Sequence, residues 1–241
     1  MLNIGQKILN AVNLDYDDQP AYIPQLLPNP EKFLTWADVE ECANRPELWQ
    51  FELIDQNNSK VEIPRSLKTW EYDRLIQDKK FIIDHINAGC SAVIPNYGYK
   101  NQYTNELLNV FERLFKVYAA IHVYCGLAGG KSFTIHDDYP VNFIIQVEGE
   151  TRWKVFKNRI SYLYGTGKMN GMLNEDMLEV AVDVVLKPGD ALYIPSRAYH
   201  VAYPTGPRLS MSIPCWQKIS TESRTLAADR NYYKINYERN V

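Results

Sequence analysis

His136-Asp137-Asp138-Tyr139-Pro140-Val141-Asn142-Phe143-Ile144-Ile145-Gln146-Val147-Glu148-Gly149 opens a β-rich run that ends near Trp216. A histidine and a carboxylate, one residue apart, lead into an apolar run that stops at a glycine. In extended backbone, side chains i and i+2 project to one face, so His136 and Asp138 can reach a single metal ion from one segment. Sixty-two residues after Asp138 comes His200, behind the turn Pro188-Gly189-Asp190 and the strand-like Ala191-Leu192-Tyr193-Ile194-Pro195. Two imidazoles and one carboxylate suit a non-haem Fe(II) site, in which coordination positions stay open for a co-substrate and O₂. The tripeptide alone is a weak signal, since a plain turn over 137–140 would also produce it. The rest of the chain has to supply the frame.

That frame is β-rich from Tyr118 onward. The spans 119–127, 141–149, 151–156, 178–186, 191–194, 200–203 and 208–213 are short and rich in β-branched and aromatic residues. Gly, Pro, Asn and Asp separate them, which predicts a sandwich or barrel. The insertion 157–176, with Gly165, Gly167, Gly171, Met169 and Met172, reads as a lid or a solvated hairpin loop. Ahead of the strands, residues 1–30 carry Pro20, Pro24, Pro28 and Pro30 and predict an irregular arm. Thr35-Trp36-Ala37-Asp38 can form a capping box, so a helix should follow and stop before Pro46. Edge strands are expected at 51–54 and 61–63, a helix over 73–87 ended by Gly89, and a strand at 91–94. The strongest helix spans 104–117, where Leu107, Leu108, Phe111, Leu114 and Phe115 form one apolar stripe. The expected fold is mainly β, with an α-helical N-terminal half packed on a β core. The chain divides most economically as a single domain, 1–241, with a core at 118–216 and a tail at 217–241.

Composition excludes little but points consistently. With 241 residues, 46% of them hydrophobic and 23% charged, the chain resembles an ordinary globular protein with a sizeable core. A formal net charge of −3 and no Lys/Arg block leave no electrostatic footprint for nucleic acid. Cys42, Cys90, Cys125 and Cys215 are scattered without a C-x-x-C pair, which reads as free thiols in a reducing compartment. Asp15, Asp17 and Asp18 follow the N-terminus too soon for a secretory signal, and no apolar run is long enough to span a bilayer. A cytoplasmic protein without a membrane partner is the expectation.

The spacing of residues within the frame is more specific. His136-x-Asp138-x-x-x-Asn142 is followed by Gly149, and Gly189 by Pro195 and His200. This resembles the two-part motif of the cupin superfamily, with Asp138 in place of the second histidine and Asn142 in place of a glutamate. Arg197 stands where glycine is common and Pro204 where asparagine is common, departures that bear on turn geometry rather than on the metal. The blocks 142–156 and 186–195 are similar to the JmjC-type 2-oxoglutarate oxygenases, in the branch of the ribosomal oxygenases and the asparaginyl hydroxylase of hypoxia signalling. The resemblance spans residues 90–216.

It implies a double-stranded β-helix with Fe(II) on His136, Asp138 and His200, Asp137 being turned away. It also implies 2-oxoglutarate as co-substrate and hydroxylation of a C–H bond on a peptide or protein side chain. A small-molecule substrate fits the same chemistry, and dimerisation through helices outside the barrel is common in the family. In the family a Lys or Arg two residues after the motif glycine pairs with the distal carboxylate of 2-oxoglutarate, and here that residue is Thr151. Arg152 and Lys154 flank it on the opposite face of a regular strand. Arg208, in Arg208-Leu209-Ser210, is the expected substitute, because a guanidinium can bind a carboxylate bidentately. Ser210 and Ser212 share its face. Asn142 matches a position that touches the co-substrate, and His122 and Tyr124 share a phase that should face the pocket. The uncharged Thr151 keeps a second reading open: an iron-dependent cupin dioxygenase or isomerase that works on a small molecule without 2-oxoglutarate. A β-barrel with a vestigial site is the third.

Overall fold

A computed structural model describes residues 2–12, 19–68, 74–129, 133–161 and 172–216. Half of the predicted lid, 162–171, including Gly165, Gly167, Met169 and Gly171, lies outside the described residues, as does the tail 217–241.

The helices are α1 (Leu2–Ala11), α2 (Trp36–Asn44), α3 (Lys79–Asn87) and α4 (Gln102–Phe115). In the first half of the chain the strands are β1 (Ala21–Ile23), β2 (Glu52–Ile54), β3 (Lys60–Val61), β4 (Arg65–Lys68), β5 (Arg74–Gln77) and β6 (Ser91–Ile94). The second half adds β7 (Tyr118–Ala119), β8 (His122–Gly126), β9 (Val141–Glu148), β10 (Thr151–Arg159) and β11 (Val180–Leu186). It closes with β12 (Ala191–Ile194), β13 (Ala198–Pro204) and β14 (Arg208–Trp216). The major sheet runs β1-β12-β9-β14-β8-β6-β2-β3, with β7 also on β14, and the minor sheet runs β11-β10-β13. Every pairing is antiparallel. Two facing antiparallel sheets make the expected double-stranded β-helix.

Strand alternation sorts the major sheet into two faces. On β9, Val141, Phe143, Ile145 and Val147 join the large core with α1 and α4, whereas Ile144, with Leu192 of β12, belongs to a smaller core against Val155 and Leu186 of the minor sheet. On β14, Leu209, Met211 and Ile213 belong to the large core, so Arg208, Ser210 and Ser212 face the minor sheet. Phe111 of α4 meets Phe143 edge-on at 4.9 Å between ring centroids. Gly149 links β9 to β10 with φ +69°, and a Cβ there would lie 2.1 Å from Pro207 O, so only glycine makes this turn.

Three local expectations change. The chain start is a helix and a strand rather than an irregular arm: Ile4, Ile8 and Val12 are buried at four-residue spacing, and β1 pairs with β12. The prolines that suggested an arm all follow α1. The helix over 73–87 starts only at Lys79, because the Asp78 carboxylate accepts from Phe81 N at 2.9 Å as its N-cap. Leu75 and Ile76 therefore sit on β5. The first half also holds strands that were not expected, β1, β4 and β5, whereas β2, β3 and β6 form at or beside the expected 51–54, 61–63 and 91–94. The capping box at Thr35 and Asp38 forms, with Thr35 N donating to Asp38 Oδ2 at 2.9 Å and Asp38 N to Thr35 Oγ1 at 3.3 Å. All four cysteines are free and buried.

Ile8 has no solvent exposure. Ile8→Ala should therefore cost about 2–5 kcal/mol in denaturant unfolding, the range for a buried aliphatic side chain. A loss too small to measure would show that α1 does not contribute to the core.

Candidate metal centre and pocket

His136 and His200 meet across an isolated antiparallel bridge in which each backbone N–H donates to the other's carbonyl, at 3.2 and 2.9 Å. This pairing brings residues 64 positions apart side by side, with ring centroids at 4.2 Å. Donor atoms of His136, Asp138 and His200 all lie within 4.8 Å of one another. His136 Nδ1 contacts Thr134 O at 2.8 Å, and His200 Nδ1 contacts Ala198 O at 2.9 Å. A carbonyl can only accept, so each Nδ1 carries the proton and each Nε2 is left with a free lone pair. This is the arrangement metal-binding histidines adopt. Burial, reinforced by the neighbouring His136, lowers the His200 pKa to about 4, so its imidazole is neutral near pH 7.

Asp138 is the charged member of the cluster. Its Oδ2 lies 3.6 Å from His200 Nε2 and accepts from Asn142 Nδ2 at 3.3 Å. Asn142 is in turn oriented by Ser212, whose Oγ donates to Asn142 Oδ1 at 2.9 Å. Asn142 thus steadies the carboxylate as well as lining the pocket. Asp137 is not turned to solvent but fully buried, with Oδ2 3.1 Å from Arg197 Nε.

The pocket runs from the histidines between the two sheets, lined by Tyr124, Phe133, Asn142, Thr151, Trp153, Arg208, Ser210 and Ser212 among others. Opposite His200 on β10 is Val155, and Thr151 is opposite Pro204, four residues further along. On β14, Arg208 is likewise four residues beyond Ser212. At about 3.3 Å per strand residue, Thr151 lies about 13 Å along β10 from the His200 level, and Arg208 the same distance along β14 from Ser212. The Arg208 guanidinium is fixed there, Nη2 donating to Ser91 Oγ at 2.7 Å and Nη1 to Ala128 O at 3.1 Å. Gly126 makes room for it, since a Cβ there would lie 2.7 Å from Nη1.

Thr151 Oγ1 and Trp153 Nε1 are buried and have no hydrogen-bond partner among the described residues. Both line the pocket from one face of β10, Thr151 opposite Pro204 and Trp153 nearer the histidines, its ring centre 6.1 Å from that of His200. Trp153 was not singled out in the sequence, although its i+2 spacing from Thr151 was visible. Arg152 and Lys154 point away: Arg152 Nε and Nη2 donate to the two Asp183 carboxylate oxygens at 2.7 and 2.6 Å, and Lys154 Nζ to Glu175 at 2.5 Å. Tyr124 meets Phe133 edge-on at 5.9 Å, and burial raises its pKa, so the hydroxyl keeps its proton. His122 lies outside the lining, its Nδ1 accepting from Asn96 N at 3.4 Å.

An unpartnered buried hydroxyl costs about 1–3 kcal/mol. Without ligand, Thr151→Val should therefore raise stability by about 1 kcal/mol in denaturant unfolding. A clear loss of stability would show that the hydroxyl is already satisfied.

Fold and site together define a double-stranded β-helix protein with a His₂-carboxylate cluster between its sheets. The JmjC domain matches residues 98–222, and the chain belongs to that family. It is similar to "Ribosomal oxygenase 1" of Danio rerio, at 27% identity over 140 residues, 57% of this chain and 26% of the relative. The "Bifunctional lysine-specific demethylase and histidyl-hydroxylase NO66" of Dictyostelium discoideum is 28% identical over 119 residues, 49% of this chain and 23% of the relative. The chain thus spans about a quarter of the length of these curated relatives. The fold is shared with the ribosomal oxygenase YcfD of Escherichia coli, solved in complex with cobalt and 2-oxoglutarate. That match has a TM-score of 0.61 and 18% identity, and covers 96% of this chain and 56% of the other. Among the described residues, no helix is long and apolar enough to cross a membrane.

Proposed function

We propose that this chain is an Fe(II)- and 2-oxoglutarate-dependent oxygenase that hydroxylates a C–H bond of a peptide or protein side chain. The observation that carries this reading is the two-ended pocket. Three convergent metal donors stand at one end. At the other are a fixed guanidinium and the unpartnered Thr151 hydroxyl. A 2-oxo acid with a distal carboxylate needs both ends. Charge-assisted pairing with Arg208 suits the distal carboxylate, and Thr151 and Ser210 can add hydrogen bonds.

His136 Nε2, Asp138 and His200 Nε2 would hold the iron. Bound there, Fe(II) would supply O₂-dependent oxidation of a substrate C–H bond, coupled to decarboxylation of 2-oxoglutarate. The chain's own groups do the positioning. The Nδ1 hydrogen bonds keep both imidazoles in the ligating tautomer, and Asn142 and Ser212 keep the Asp138 carboxylate turned inward. Phe133 and Trp153 wall the cavity with apolar surface and limit the water that reaches it. The protein substrate is supported by the names of the relatives, which include ribosomal oxygenases and a histidyl-hydroxylase.

The test is succinate release from 2-oxoglutarate by protein reconstituted with Fe(II), with and without ribosomal proteins. Mass spectrometry would look for one added oxygen atom on a substrate side chain. Iron- and substrate-dependent succinate is expected. If protein loaded with Co(II) or Mn(II) failed to bind 2-oxoglutarate, the reading would be wrong, and the cupin alternative without that co-substrate would replace it.

A further inference from the structure

The turn between β12 and β13 grips the segment that carries two of the three metal donors. Arg197 in that turn is fully buried, and so is Asp137, the residue between His136 and Asp138. Arg197 N donates to Asp138 O at 2.8 Å, and its Nε lies 3.1 Å from Asp137 Oδ2. Its Cζ stands 6.0 Å from the centre of the Tyr139 ring, and the neighbouring Ser196 Oγ donates to Tyr139 O. One turn therefore holds three consecutive residues, 137, 138 and 139, by backbone, charge and ring contacts.

Stability alone does not account for this device. Arg197 has φ +64°, in the left-handed region where a long side chain is rare and glycine would sit without strain. Strained backbone of this kind persists where its surroundings impose it, and it clusters at functional sites. A buried ion pair is also a weak source of stability, since apolar replacements of similar volume are often neutral or better. What the pair does supply is direction. A buried carboxylate anchored from one side fixes the backbone on which the two flanking ligands project to the other.

We propose that Arg197 is a positioning residue for the metal centre, holding His136 and Asp138 at ligating spacing through Asp137. This rests on the metal centre proposed above. Groups that orient metal ligands typically change metal affinity about 10–100-fold when altered. Arg197→Gly removes the guanidinium while suiting the φ, and Asp137→Asn removes the charge with little change of shape. Both should weaken Co(II) binding about 10–100-fold in an absorption titration, and Arg197→Lys should recover part of the loss.

A merely structural role would lower the metal-free unfolding midpoint and leave the Co(II) affinity unchanged; that result overturns the proposal. Should neither variant unfold cooperatively, hydrogen exchange on the unaltered protein decides. The Arg197 amide is freed only when the segment leaves the turn, so saturating Co(II) should slow its exchange, and indifference to Co(II) overturns the proposal. If the unaltered chain takes up no Co(II), the metal centre falls and this inference with it. If the unaltered chain and both variants bind Co(II) equally, this inference alone falls.

Discussion

Asp138→Ala should abolish metal uptake while leaving the metal-free fold intact. The Asp138 carboxylate is the only anion in the donor cluster, and without it two neutral imidazoles remain to hold a dication. Altering the supporting groups around a metal costs about 10–100-fold in affinity, and loss of a ligand should exceed about 100-fold. Co(II) titration and succinate release should both fall to background. Stability is a separate matter. The Asp138 side chain is 35% exposed, so removing it breaks no buried network apart from one hydrogen bond from Asn142. A change in metal-free unfolding within about 0.5 kcal/mol is expected, as for a half-exposed site. Unaltered Co(II) affinity in this variant would remove Asp138 from the centre.

The second large effect belongs to Arg208→Ala and falls on 2-oxoglutarate alone. Arg208 is 3% exposed, and its guanidinium is already oriented by Ser91 and Ala128, so little ordering remains when a carboxylate arrives. Truncating one partner of a buried charge pair costs about 2–5 kcal/mol. Taking about 2–3 kcal/mol, affinity should fall about 30–150-fold at 1.4 kcal/mol per decade. Arg208→Lys should restore part of it, since a point charge cannot reproduce the bidentate fork. Oxalate chelates a metal but has no distal carboxylate, so its affinity for the Co(II)-loaded protein should be the same with or without Arg208. Calorimetry on the loaded protein measures both ligands. Equal 2-oxoglutarate affinity in the wild type and Arg208→Ala would mean that the distal carboxylate is held elsewhere.

These two residues mark how far the primary structure could be read. The pairing of His136 with Asp138 needs only the two-residue period of extended chain. The grouping of Arg208, Ser210 and Ser212, and of Thr151 against Arg152 and Lys154, follows from the same period once strands are assigned. Local capping was also legible, as at Thr35 and Asp38. At the start of the chain four prolines predict an irregular arm, but they all follow the helix that the four-residue spacing of Ile4, Ile8 and Val12 forms. The apolar spacing over 73–87 predicts one helix, whereas the strand β5 and the helix α3 adjoin there with only Asp78 between them. Leu75 and Ile76 fit either period.

What the order of amino acids determined by itself was therefore periodic and local: the donor types, their facing, the glycine turn and the β-rich core. The contacts that make the site specific join positions far apart in the chain. Arg208 reaches Ser91 across 117 residues, and Arg197 meets Asp137 across 60. Such meetings depend on the register of paired strands and on the path of the turns between them, and neither can be deduced from side-chain spacing. Asp137 shows the difference most clearly. Its alternation with His136 and Asp138 turned it away from the metal, but only the packing of the β12–β13 turn decided that it would meet a buried arginine there instead of water.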